Sequence, residues 1–130
     1  AFIFIDIDNF KNINDNFGHM YGDIIIKEVS RVIKKTFSED DIVLRMGGDE
    51  FVVYSVDLVE KEDCKNKLEQ LLRSLKNAGV GKSKRIPVSI SVGCTINDKK
   101  MTDFNCLYRD SDKCLYEAKK AGKSCFVISD

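Results

Sequence analysis

Two short segments of this chain place acids where a folded protein rarely puts them without a use. Asp6 interrupts the run Phe2 to Ile7, whose other members are all Phe or Ile, and Asp8 follows directly. A carboxylate drawn into such a setting is costly to desolvate and calls for a cation. An isolated Asp-x-Asp is more often a solvated strand end, so this pair is informative only in company. The company is Gly47-Gly48-Asp49-Glu50. Its glycines allow a sharp turn and leave space for a ligand, so two acids would sit at a hairpin tip. If the strand of Asp6 pairs beside that hairpin, carboxylates from two strands converge. Hard divalent cations such as Mg²⁺ are held by carboxylates together with substrate phosphates. Two such ions can clamp the attacking and leaving oxygens of a phosphoryl transfer. An EF-hand is rejected, because the fifth, sixth and twelfth positions counted from Asp6 are Phe10, Lys11 and Phe17. That loop requires an oxygen ligand, Gly and Glu there. His19 is the only histidine, and the five cysteines contain no Cys-x-x-Cys pair. Neither a His-rich metal site, a structural zinc site nor a disulfide framework is available, so carboxylates must carry any metal.

The elements that would position these groups follow from periodicity. Phe2 to Ile7 is short and apolar enough for a strand buried on both faces. Ile25, Ile26, Val29, Val32 and Ile33 recur at helical spacing, giving a helix over about 22 to 37 that starts at Gly22-Asp23. Ile42 to Met46 and Phe51 to Val56 are β-rich runs expected to pair antiparallel across the glycine turn. Cys64, Leu68, Leu71, Leu72, Leu75 and Ala78 trace one face of a further helix, stopped by Gly79 and followed by a basic loop, Lys82 to Arg85. Pro87 to Val92 alternates with period two, as in a strand with one face on a core. Phe104, Leu107, Tyr108, Ser111, Leu115 and Ala118 mark a last helix, started near Thr102-Asp103 and ended at Gly122, before a final strand from Cys125 to Ile128. The order implies an α+β layer, helices covering a mostly antiparallel sheet.

Composition narrows the function classes. A chain of 130 residues is the size of one domain. Lys plus Arg and Asp plus Glu each total 21, and a formal charge of zero does not recommend a long polyanion such as duplex DNA. An RNA-binding sheet would need a basic surface and exposed sheet aromatics in an RNP-type motif, and the sequence has no such motif. No run approaches the roughly 18 to 20 apolar residues of a membrane span, and the odd cysteine count suits a reducing, cytoplasmic setting.

The residues resemble a known family. Gly47-Gly48-Asp49-Glu50-Phe51 is the signature of the GGDEF diguanylate cyclases. Asp6-Ile7-Asp8-Asn9-Phe10-Lys11-Asn12-Ile13-Asn14-Asp15, then Gly18-His19 and Gly22-Asp23, matches the family's D-x-D-x-F-K-x-I-N-D, G-H and G-D pattern in register. Val88 to Gly93 resembles its later strand. Asp112-Lys113-Cys114-Leu115-Tyr116-Glu117-Ala118-Lys119 with Gly122-Lys123 resembles its D-x-A-L-Y-x-A-K-x-x-G-[RK] helix.

The resemblance implies a palm or nucleotidyl-cyclase-like fold with a ferredoxin-like core, and a single GGDEF domain over 1–130. It implies that two GTP molecules, one on each of two facing subunits of a homodimer, condense to cyclic di-GMP with release of pyrophosphate. By similarity, Mg²⁺, or Mn²⁺ in its place, is held by the side chains of Asp6 and Asp49 and the carbonyl of Ile7, with Glu50 as an additional contact. Asp49 and Glu50 are the catalytic acids, Asp49 being the base for the attacking 3′-hydroxyl. Asn14 and Asp23 match the guanine contacts; a carboxylate accepts from the guanine N1-H and N2-H₂ edge, which adenine lacks. Asp23 also reads as a helix N-terminal cap. Phe10 and Lys11 offer backbone N-H groups to a triphosphate. Lys119 and Lys123, four apart and expected on one face of the last helix, match a phosphate-facing pair. His19 is expected in a turn between helices rather than as a ligand.

Two departures stand out. Many members carry an inhibitory Arg-x-x-Asp whose Asp lies five residues before the glycine pair, and this chain has Ser38-Glu39-Asp40-Asp41. A hydroxyl cannot imitate a guanidinium fork, so feedback inhibition through this site is expected to be weak or absent. The family's N-terminal segment of about thirty residues, with an L-T-G-L-x-N-R-like turn, has no counterpart here. The expectation is therefore a fragment of a longer protein that carries a sensory or receiver module and is free to be membrane-anchored. The competing reading is a catalytically inactive module that senses GTP or cyclic di-GMP, although a pure sensor has no need for Asp6, Asp49 and Glu50 together.

Overall fold

In the computed structural model, which describes residues 1–84, 86–97 and 103–129, the first apolar run forms strand β1 (Phe2–Ile7). Helices α1 (Phe10–Phe17) and α2 (His19–Thr36) follow, then the hairpin of β2 (Ile42–Gly47) and β3 (Glu50–Tyr54). The chain continues through α3 (Lys61–Asn77), a 3-10 turn (Lys82–Lys84), β4 (Ile90–Thr95), α4 (Phe104–Lys120) and β5 (Phe126–Ile128). Arg85 of the basic loop and Thr102 of the expected helix start lie outside the described residues. The sheet order is β2-β3-β1-β4-β5, antiparallel except for the β4–β5 pair. The expected α+β architecture is thus the one observed.

β1 lies in the middle of the sheet and is buried at every position. Its alternation divides the core. Ile3, Ile5 and Ile7 pack with Ile25, Val29 and Ile33 of α2 and with Leu68 and Leu71 of α3. Phe2 and Phe4 face the other way, against Leu107 and Leu115 of α4, with edge-on ring contacts from Phe2 to Phe104 and Phe4 to Tyr108. Asp6 continues the Phe2, Phe4 series by period two, which places it on the α4 side.

Three expectations need correction. The helix placed at about 22 to 37 begins at His19, and a separate α1 precedes it. Gly22 is therefore inside α2 and does not start it. It is needed for close approach, since a Cβ there would stand 1.9 Å from Asn14 Oδ1 and 3.1 Å from Phe10 Cζ. Asp23 accordingly is exposed within the helix and caps nothing. The strand expected at 87–92 with one buried face runs from Ile90 to Thr95 and is buried throughout. Its small residues face α4 instead of solvent: a Cβ on Gly93 would lie 2.1 Å from the Ser111 carbonyl oxygen and 2.3 Å from the Leu115 nitrogen. α4 is capped as its sequence suggests, with Asp103 Oδ1 accepting from the Asn105 amide at 3.0 Å. All five cysteines are free thiols. Among the described residues no helix is long and apolar enough to cross a membrane.

Candidate active site

The strand pairing brings the two acidic segments together. In the β1–β3 register Asp6 stands opposite Glu50, and the Ile7 amide donates to the Asp49 carbonyl at 3.1 Å. Asp49 occupies a two-residue turn with Gly48, while Glu50 opens β3. The glycines serve the backbone: φ is 143° at Gly47 and 52° at Gly48, yet a Cβ at either would meet nothing within 4 Å. The tip is clamped by Arg45, whose Nε and Nη2 donate to the Gly48 carbonyl at 3.0 and 2.8 Å. That role was missed in the sequence, where an Arg two residues ahead of a glycine turn is the only signal.

Asp6 is the most perturbed acid of the site. Burial, and then the Asp49 carboxyl alongside it, push its pKa up to about 6 against the opposing influence of the Lys119 ammonium. Lys119 forms an ion pair with Asp6 Oδ2. Burial alone would lower the Lys119 pKa, but Asp6, and more distantly Asp49 and Glu50, raise it. Asp6 Oδ1 remains buried without a hydrogen-bond partner. A buried acceptor of that kind is costly, and a cation is the partner that suits it. Among the described residues no three acidic, histidine or cysteine side chains gather into a ready cage. A Mg²⁺ site does not require one, since that ion keeps waters and is bound by one or two carboxylates plus phosphates. Asp6, with the Asp49 carboxyl alongside it, meets that carboxylate count.

Asp8, the other half of the Asp-x-Asp, does different work. Its oxygens accept from Ser89 Oγ and Ser91 Oγ, both at 2.6 Å, and from the Ser124 amide at 3.0 Å. It ties β1 to β4 and to the turn after α4. The sequence signal is Ser89-x-Ser91, a period-two pair that puts both hydroxyls on one face.

That turn also moves Lys123. The helix ends at Lys120, so Lys119 and Lys123 are not on one helical face as expected. Gly122, Lys123 and Ser124 have φ of 115°, 65° and 51°, a left-handed stretch that swings Lys123 back towards β1. There its ammonium donates to Asn9 Oδ1 at 2.7 Å, at the start of α1. Lys119 thus reaches the acidic cluster, and Lys123 the start of α1. α1 begins with Asn9 at φ 55° and no side chain caps its first turn, which leaves Phe10 and Lys11 at an unadorned helix start. On α1, Asn14 Oδ1 is buried without a partner under Gly22, one residue from exposed Asp23. His19 is exposed at the first position of α2, in the bend after Gly18.

The family model described as "Diguanylate cyclase, GGDEF domain" matches residues 1–125. "Probable diguanylate cyclase DgcT" of Escherichia coli strain K12 is 36% identical over 129 residues, 97% of this chain and 28% of that protein. "Cyclic di-GMP phosphodiesterase PdeR" of the same organism is 30% identical over 97% of this chain and 19% of its own length. The chain therefore spans about a fifth to just over a quarter of the length of these curated relatives. Among solved structures, the GGDEF domain of TpbB (YfiN) from Pseudomonas aeruginosa superposes with a TM-score of 0.90 at 27% identity, covering 99% of this chain and 76% of that one. The active GGEEF domain of a diguanylate cyclase from Vibrio cholerae gives 0.85 at 30% identity, covering 99% and 81%. Its central sheet flanked by helices is the palm-like cyclase fold of these neighbours, and the chain belongs to the GGDEF, diguanylate cyclase, family.

Proposed function

We propose that this chain is one half of a diguanylate cyclase active site, holding a GTP and presenting it to a second GTP on a facing copy. The observation that carries the reading is Asp6: buried, with one oxygen orphaned and the other on Lys119, and with Asp49 beside it. In this reading Asp6, Asp49 and the Ile7 carbonyl hold Mg²⁺ or Mn²⁺, with Glu50 adjacent. The ion, when bound, neutralises triphosphate charge and lowers the pKa of a nearby hydroxyl. Asp49 takes the proton of the 3′-hydroxyl as that oxygen attacks the α-phosphorus of the opposite GTP. The bond to pyrophosphate breaks, and repetition of the step by the other subunit closes the ring. Asn14 and Asp23 read the guanine edge, and the orphaned Asn14 Oδ1 is an acceptor awaiting a donor. Lys119, Lys123 and the α1 start around Phe10 and Lys11 receive the phosphates. The domain works in the cytoplasm, within a longer protein whose further module brings two copies together.

A dimerised protein incubated with GTP and Mg²⁺ should yield cyclic di-GMP and pyrophosphate. Asp49→Ala should lose activity by orders of magnitude, since a metal ligand and base vanish together. Undiminished turnover by that variant would remove Asp49 from its role. The likeness to a protein named a phosphodiesterase favours examining a second reading, a module that binds GTP without converting it. Saturable GTP binding with no product from the dimerised protein would establish it.

A further inference from the structure

We infer that the α2–β2 groove, which none of the acids of the acidic cluster lines, is a binding site for a soluble polyphosphate anion. The groove encloses about 700 Å³. Four exposed cations of α2, Lys27, Arg31, Lys34 and Lys35, line it, and Arg45 of β2 faces them from a second element. Buried Ile26 and Phe51 form its apolar floor, and no acid contributes to its wall. The inference is independent of the cyclase reading.

Charge arrangement is the argument. Lys27 and Arg31 are four apart, as are Arg31 and Lys35, and Arg31 and Lys34 are three apart. Like charges at these spacings destabilise a helix. Relief is available nearby in the sequence, since Asp23 precedes Lys27 by four and Glu28 precedes Arg31 by three. Yet among the described residues no ion pair joins any acid to these four cations. The acids of the following turn, Glu39 to Asp41, do not reach the wall either; Asp41 instead accepts from the Ser38 amide at 2.9 Å. In a chain with zero net charge, five convergent cations are a local device and not a consequence of overall composition. Lys34 and Lys35 also oppose the C-terminal dipole of α2, but that role explains neither Lys27, eight residues upstream, nor Arg45 on another element. Arg45 is held by its two bonds to Gly48, so its charge is fixed in place before any ligand arrives. A row of flexible lysines with fixed and mobile guanidinium groups suits several linked phosphates, whose oxygens accept from each in turn.

The test titrates inorganic tripolyphosphate into the 130-residue chain in chelator, followed by backbone amide shifts in NMR. Saturable shifts should appear along residues 27–35 and at Arg45, weakening at high salt. Arg31→Glu with Lys35→Glu should weaken this binding by at least about tenfold, with an unchanged circular dichroism spectrum. Lys119→Met with Lys123→Met should leave it intact, separating the groove from the phosphate contacts of the acidic site. Shifts confined to residues 119–124, or equal affinity after charge reversal, would overturn the inference. So would binding to phosphatidylglycerol vesicles without any response to tripolyphosphate, which would make the groove a lipid-surface contact.

Discussion

Replacing Asp6 by Asn should make the metal-free protein more stable. The pKa of this carboxyl rises from its ordinary 3.8 to about 6, chiefly through burial. At about 1.4 kcal/mol per unit, the difference of about 2 units amounts to about 3 kcal/mol. Because the folded-state pKa is the higher one, the native protein binds the extra proton between these values, and stability falls as pH rises. The loss starts near pH 4, is complete somewhat above pH 6, and leaves a constant deficit at higher pH. Asparagine carries no charge to desolvate and removes that deficit. It also forfeits the Lys119 ion pair, but that attraction already opposes the rise of the Asp6 pKa and is contained in the net shift. A gain of about 3 kcal/mol at pH 7.5 is expected, worth several degrees in melting temperature for a chain of this size. Urea denaturation in chelator from pH 4 to pH 8, expressed as the difference between variant and wild type, isolates the effect from all other titrating groups. A difference that stays flat across pH 4–7, or a variant less stable at pH 7.5, would refute the account of Asp6 as a carboxylate held at a cost to folding.

Asp8→Ala should act in the opposite sense, because Ser89 Oγ, Ser91 Oγ and the Ser124 amide lose their common acceptor; urea denaturation should show a loss of about 2–4 kcal/mol. Gly93→Ala forces a methyl to within 2.3 Å of α4 backbone atoms that no rotamer change can move, and a loss of about 1–3 kcal/mol or more is expected by the same measurement. Cyclic di-GMP should not inhibit turnover through Asp41, because Ser38 stands where the inhibitory motif has its arginine. Tight inhibition abolished by Asp41→Ala would contradict that expectation.

The parts legible in the sequence were those with a strong local rule. A short Phe/Ile run reads as a strand buried on both faces and a glycine pair between β-rich runs as a hairpin, but the adjacency that brings Asp6 to the Asp49 turn stood only as a condition, which the β1–β3 pairing meets. What escaped the sequence depended on neighbours. Gly22 looks like a helix start because glycine is a poor helix former, and only the packing of Asn14 and Phe10 against it explains its presence inside α2. Ser91 looks like part of an exposed face because it is small and polar, whereas it is buried to seat Asp8, and Gly93 two residues on leaves room for α4. Lys119 and Lys123 share a helical spacing that the left-handed turn after Lys120 breaks, yet that same turn brings Lys123 to Asn9 at the start of α1.

The position of β1 bears on how such a domain can be switched. A strand hydrogen-bonded on both edges cannot shift without unzipping two neighbours, and its amides should be among the slowest in the chain to exchange with deuterium. Asp6 is thus an immobile fixture. Asp49 rides instead on a two-residue loop at the end of a hairpin whose outer strand is a free edge, steadied by one arginine. Any signal that silences the domain by local motion has that loop to act on, and a ligand that tugged on Arg45 would reach it.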